Sequence, residues 1–427
     1  MKKFRVNILI LIISIIIASC EKEPDLKYPV LTFKQYVKQL LIDEKWYYWV
    51  DEVKNVNPSN SISDEDYFNS LLYDSLDKWS FYTTYSKYVS YFVEGKYTGY
   101  GFLPLADKDG NVRVAFVFKN SPFGKAGIKR GYIINKINGN SASLLYAADK
   151  LNDEFAKFTS HTFEILDYQK NKITLSLSKE EITQNTVLYY DTFNVETLRI
   201  GYLVFHSFID PAYDELKNVF SDFKQKGINN LIIDLRYNGG GSLGVAKYLG
   251  NIIAGKRAAK KIFNTTQYNN YKSEFSSSDF FEEDENSLDI QSVVAITTES
   301  TASASELLIN SLKPFIDTKI AGTPSHGKPV GMRIFVYYNW VVAPITFKSL
   351  NAKGEGDYFK GLPVDGYSDD DLEHDFGDLE ELSLKQAMNY FKTGTFLPQD
   401  STLKAMSLSL NINVNPLKGF QRQIGAY

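Results

Sequence analysis

The segment Ile296–Met332 reads ITTESTASASELLINSLKPFIDTKIAGTPSHGKPVGM, and the rest of the chain is best read as its support. A short apolar run, Val293 to Ile296, leads into a cluster of small hydroxylated residues. The spacing of Leu307, Leu308 and Leu312 then predicts a helix from Ala304 to Leu312. A serine at a strand-to-helix junction sits beside unpaired N–H groups of the first helical turn, which can stabilise a developing anion. The same text also fits a plain capping box, in which Ser-Ala-Ser-Glu only closes the helix start. Lys328 distinguishes the two readings. It follows Ser303 by 25 positions and stands next to a glycine that permits close backbone approach. Serine needs a base, and a desolvated lysine can be one.

Ser300-Thr301-Ala302-Ser303-Ala304-Ser305-Glu306, followed by Gly327-Lys328, resembles the Ser/Lys active site of the C-terminal processing (tail-specific) peptidases of the S41 type. The resemblance implies Ser303 as nucleophile and Lys328 as general base. A second matching element is Ile233-Asp234-Leu235-Arg236-Tyr237-Asn238-Gly239-Gly240-Gly241, which implies an oxyanion hole from backbone N–H groups near Gly240 and at Ala304. One position departs from the pattern. Many family members carry a glutamine four residues after the lysine to orient its amine, and here Met332 stands there.

The N-terminus bears on compartment. Lys2, Lys3 and Arg5 precede an apolar run from Ile8 to Ile17 and the small residues Ala18-Ser19, a signal-peptide pattern too short for a comfortable membrane span. The chain's single cysteine, Cys20, follows directly, and Ile17-Ala18-Ser19-Cys20 resembles the lipobox of bacterial lipoproteins. That implies lipidation at Cys20, a membrane partner through the lipid, and a cell-envelope location on the periplasmic or outer-membrane side. No disulfide can form within the chain. The 427 residues carry a net charge of only −4, which gives no nucleic-acid footprint.

The expected fold class is α/β (mixed α+β) and multidomain. Residues 1–19 are a signal peptide, 20–29 a spacer, 30–91 a helical N-terminal module and 92–180 a β-rich domain. A catalytic domain with a mixed sheet spans 181–395, and 396–427 form a tail. In the helical module Phe33, Tyr36, Val37, Leu40 and Leu41 recur at helical steps, and a second helix is expected from Asp64 as N-cap through Leu76. Within 92–180, Asn120-Ser121-Pro122 through Ala126-Gly127-Ile128, then Gly131 to Gly139, resembles a PDZ domain of the protease-associated kind. Its implied peptide-binding loop is Gly99, Tyr100, Gly101 and Phe102, adding an extended peptide to a sheet edge and capturing its C-terminal carboxylate. In the catalytic half, near-continuous apolar strands alternate with helices, which argues a mixed sheet with crossovers. Residues 260–286 read as a polar surface loop. The aspartates at 369–371, 375 and 378 read as a solvated turn rather than a calcium site.

The leading expectation is a serine endopeptidase acting on unfolded or C-terminally tagged polypeptides, with no cofactor and no metal. Two alternatives stay open. A histidine, His326 or His206, could supply the base instead. With Met332 at the orienting position, the chain could also be a silent peptide-binding protein.

Overall fold

The computed structural model describes residues 30–398, so the signal segment, Cys20 and most of the tail lie outside the described residues. The central sheet has six strands: β6 (Val187–Val195), β7 (Leu198–Phe205), β8 (Asn230–Asp234), β9 (Ser292–Thr297), β10 (Asp317–Gly322) and β11 (Gly366–Tyr367), ordered as numbered. β6 runs antiparallel to β7, and every later pairing is parallel. The expected mixed α/β class therefore holds. Its parallel part needs crossover helices, here α1 (Ala212–Gln225), α2 (Leu243–Ala254) and α3 (Ala304–Leu312).

Strand alternation divides the apolar residues between two layers. Leu203, Phe205, Leu231, Ile233, Val293 and Ala295 face α1, α2 and α3, packing on Leu216, Phe220, Leu249 and Leu308. The intervening Tyr202, Val204, Ile232, Val294 and Ile296 face α4 (Leu382–Thr393) through Leu384, Ala387 and Phe391. Both faces are covered, which is why these strands read as continuous apolar runs.

The β-rich body has its own sheet: β1 (Phe102–Ala106), β2 (Val112–Val117), β3 (Ile133–Ile137), β4 (Ser160–Leu166) and β5 (Lys172–Ser178), with a short strand Asn140–Ser141 beside β3. Its core holds Tyr100, Phe102, Phe123, Phe155 and Phe163. The turn expected at Lys108 to Asn111 is present, closed by Asp107 N–H to the Asn111 carbonyl at 2.9 Å.

Three local expectations are corrected. The helix expected from Asp64 to Leu76 covers only Asp64–Ser70, with Ser63 as N-cap. It stops because Ser70 Oγ donates back to the Tyr67 carbonyl at 2.7 Å and the Tyr73 N–H goes to Tyr47 Oη at 2.9 Å. The N-terminal segment is also not self-sufficient. Phe81–Thr84 pairs with Trp340–Ala343, and the cluster around Val37, Trp46 and Phe68 includes Val330, Val342 and Ile345. Finally, the stretch 260–286 contains strands Ile262–Tyr268 and Ser277–Phe280, the first paired to Ile345–Leu350. Their Thr, Ser and Asn content hid them, while Phe263 and Phe281 anchor them in the main core.

Candidate active site

β9 delivers the chain to Thr297, and α3 begins at Ala304. Between them Ser303 adopts φ 58° and ψ −116°, a conformation that L-residues rarely hold and that costs on the order of 1–3 kcal/mol. Such strain persists only where the surroundings over-determine it, and here hydrogen bonds stitch the turn to the strand beside it. Thr301 Oγ1 donates to the Leu235 carbonyl at 2.8 Å, and Thr298 Oγ1 donates to the Arg236 carbonyl. The Asn238 carbonyl accepts from Ala302 N–H at 3.1 Å and from Ser305 Oγ at 3.0 Å.

The strand-end sequence Asp234 to Gly241 is thereby explained residue by residue. Asp234 accepts from Tyr202 Oη at 2.9 Å and pairs with Arg236 at 2.8 Å. Arg236, 1% exposed, also reaches Glu381 at 2.8 Å and Asp370 at 3.0 Å. Asp370 bonds Tyr237 Oη and receives Arg130 from the β-rich body, so it is an internal counter-ion and not the solvated turn expected. The Arg130 and Arg236 guanidiniums hold its carboxyl below the usual range against the opposing effect of burial, which is the largest influence on it. Asn238 Nδ2 donates to the Phe205 carbonyl at 2.9 Å, and its Oδ1 accepts the Gly240 N–H at 2.9 Å.

That last bond alters the expectation for Gly240. Its N–H is committed to Asn238, and Gly241 is the glycine that lines the cavity at Ser303. Phe208 bridges to this strand through the Gly240 carbonyl and the Ser242 N–H, which turns the Gly241 N–H to the opposite side. Gly240 has a different task. At φ +103°, an added Cβ would come within 2.8 Å of both the Ala302 carbonyl and Ser303 Cβ, and within 2.9 Å of Ala304 N. Only glycine lets this strand end lie against the serine turn. Ala304, at the first position of α3, has one of the N–H groups that no helical carbonyl can reach.

Ser303, Ala304, Lys328 and Met332 all line one cavity of about 310 Å³, together with Gly241 and apolar side chains such as Phe92, Phe208, Leu243 and Phe347. Lys328 is 4% exposed. The structure thus brings the predicted serine and lysine to a common space. Neither His206 nor His326 lines it. His326 Nε2 accepts from Trp79 Nε1 at 3.1 Å, and its Nδ1 lies 3.2 Å from the Glu299 carbonyl. His206 packs on Phe116 and Phe118, where burial lowers its pKa to about 4.

One participant was visible in the sequence only as a cap. Glu306 Oε2 accepts the Ser303 N–H at 2.9 Å and the Lys328 N–H at 2.8 Å, while Oε1 accepts the Gly327 N–H at 2.7 Å and Ser325 Oγ at 2.6 Å. One carboxyl group therefore clamps the backbones that carry both predicted catalytic side chains. Burial pushes its pKa up, and the four donors pull it back only in part. A glutamate three residues after a serine signals a capping box. Nothing in that spacing signals the second pair of bonds, across 21 and 22 residues.

In the β-rich body, Tyr100 and Phe102 are buried in the core, so only the backbone of Gly99 to Phe102 can face a ligand. Gly101, at φ +79°, could not carry a Cβ, which would fall 2.0 Å from Ser121 Cβ. The cluster Asp107, Asp109 and Glu373 could geometrically hold a cation, but Arg113 already bonds Asp107 at 2.6 Å and Glu373 at 3.0 Å. No helix among the described residues is long and apolar enough to cross a membrane.

A parallel sheet that ends in a strained serine at a helix start, above a cavity shared with a buried lysine, defines the class: an α/β protein built like a serine hydrolase. Residues 199–365 match the model of Peptidase family S41, and residues 44–81 match the Peptidase S41 N-terminal domain. The chain belongs to peptidase family S41. It is 25% identical over 244 residues to a Staphylococcus aureus (strain COL) protein named "Probable CtpA-like serine protease", covering 56% of this chain and 46% of that one. The chain thus spans about half the length of such relatives. A Staphylococcus saprophyticus protein of the same name is 22% identical over 386 residues, covering 85% of this chain and 73% of its own length. Among solved structures, a Bacteroides fragilis NCTC 9343 protein assigned to the S41 proteases superposes with a TM-score of 0.69 at 21% identity. The alignment covers 86% of this chain and 98% of that one, a likeness of fold.

Proposed function

We propose that the chain is a serine endopeptidase in which Ser303 is the nucleophile and Lys328 the general base. The observation that carries the reading is the shared cavity: a serine in a strained, fully braced turn and a buried lysine line the same space beside two backbone donors. Ser303 Oγ attacks a peptide carbonyl as the Lys328 amine takes its proton. The oxyanion is met by the N–H groups of Ala304 and Gly241, the latter replacing Gly240 in that role. The ammonium then protonates the departing amine, and water, deprotonated by the restored amine, cleaves the acyl-enzyme. Apolar walls around Lys328, including Met332 in the position of the orienting glutamine, restrict how the amine can point.

The substrates proposed are unfolded or C-terminally tagged polypeptides, with the PDZ-like body presenting their ends at the Gly99–Phe102 loop. Lipidation at Cys20 would hold the enzyme to a bacterial envelope membrane. Digestion of unfolded casein by the lipid-free protein tests the reading. Cleavage that disappears in both Ser303→Ala and Lys328→Ala supports it, and full cleavage by Ser303→Ala refutes it. A silent peptide-binding role is the second reading, motivated by Met332, and would show as no cleavage by the unsubstituted protein. The histidine reading predicts loss of activity in His326→Ala or His206→Ala, although neither side chain lines the cavity.

A further inference from the structure

A second groove, about 1030 Å³, lies on the other side of the serine turn, between the β-rich body and the central sheet. Its wall includes Leu105 and Ala106 of β1, Gly366 and Tyr367 of β11, and Ser300. Both strands are sheet edges: β1 ends one sheet and β11 the other, each paired on one side only among the described residues. Open edges invite a further strand.

The chain itself leads into this groove. Beyond α4, Phe396 packs on the Cα of Gly366, where an added Cβ would meet its ring at 2.3 Å. Gln386 then pins Leu397, accepting its N–H at 2.9 Å, while the same amide donates to the Tyr367 carbonyl at 2.9 Å. Phe396 and Leu397 both line the groove, so residues 399–427 start at its mouth.

The sequence that follows has the pattern such an edge requires. Ser407-Leu408-Ser409-Leu410-Asn411-Ile412-Asn413-Val414 alternates polar and apolar without a break and is ended by Asn415-Pro416. A strand of this kind has one apolar face and needs a surface to cover it. The charges agree as well. Lys404, Lys418 and Arg422 outnumber Asp400 in the segment, whereas Glu299, Asp365 and Asp369 outnumber Lys319 in the groove.

We propose that residues 407–414 of this chain dock in the groove as an added β-strand, with Leu408, Leu410, Ile412 and Val414 inward, bridging the β-rich body to the central sheet. The eight residues from Gln399 to Met406 span up to roughly 28 Å when extended, ample to cross the groove mouth. Occupation of an edge of the β-rich body by the chain's own segment makes that segment a competitor for any peptide that uses the same edge.

Hydrogen–deuterium exchange on the full chain, solubilised in detergent, tests the docking. The expected result is about tenfold faster exchange of the backbone amides of 102–106 or 364–369 in a chain ended after Pro398 and in Leu410→Asp/Ile412→Asp. Ser409→Asp/Asn411→Asp, on the opposite face, should leave exchange unchanged. Equal exchange in the shortened and full chains overturns the proposal. So does an equal effect of the two double substitutions, and so does protection that rises with protein concentration, which would mark a second copy as the occupant.

Discussion

Replacing Glu306 by glutamine changes two atoms of a buried side chain and should disable the site. The carboxylate receives two donors on each oxygen: Ser303 and Lys328 N–H on one, Gly327 N–H and Ser325 O–H on the other. Glutamine keeps one acceptor oxygen and turns an NH2 toward two of those donors. Each hydrogen bond to an ionised group contributes about 1.5–3 kcal/mol, so two lost bonds would cost about 3–6 kcal/mol. Burial already holds this carboxyl above its usual range, and removing its charge returns part of that cost. A net loss of about 2 kcal/mol in urea unfolding is expected. The effect on catalysis should be larger in proportion, because the two freed backbones carry nucleophile and base. A displacement of about 1 Å there costs about a hundredfold in rate. Steady-state assays with a quenched fluorescent peptide should therefore show kcat about a hundredfold lower with KM nearly unchanged. A Glu306→Gln enzyme with kcat within twofold of the unsubstituted protein and equal urea stability would refute the clamp.

Gly240→Ala should lower kcat at least tenfold while the protein still folds, since its Cβ would press on Ser303 and the Ala302 carbonyl. Circular dichroism checks the fold alongside the assay. Arg236→Met should destabilise the chain by about 3–5 kcal/mol in denaturant titration, because Asp234 and Glu381 would remain buried without their cation. His206 gives a pH signature. Its folded pKa, depressed by burial to about 4, lies below the ordinary 6.5, so only the unfolded chain gains a proton as pH falls between these values. Stability from this residue is full above pH 6.5 and is lost toward pH 4, by about 3 kcal/mol in all. His206→Leu should flatten that part of the pH–stability curve.

Much of the fold could be read from sequence because burial on both sheet faces leaves unbroken apolar runs such as Leu231 to Ile233 and Val293 to Ile296. The serine and lysine were legible for a different reason: their neighbours are small residues placed by steric need, as Gly240 against Ser303 shows. What escaped was set by long-range pairing. The polar strand Ile262–Tyr268 exists because Leu350 to Phe347 lies beside it. The N-terminal segment reads as a separate helical unit only until Phe81–Thr84 is seen paired with Trp340–Ala343. The exchange of Gly240 for Gly241 at the cavity depends on one side-chain bond from Asn238, which no spacing encodes. Glu306 kept its cap signature while its second set of partners came from a loop 19 to 22 residues away.

The most direct measurement is covalent capture of the serine. A fluorophosphonate probe incubated with the folded protein, followed by peptide mapping, should label Ser303 alone and stoichiometrically, and Lys328→Ala should label at a small fraction of that rate. Labelling of another residue, or equal labelling with and without the Lys328 amine, would contradict a serine activated by that lysine.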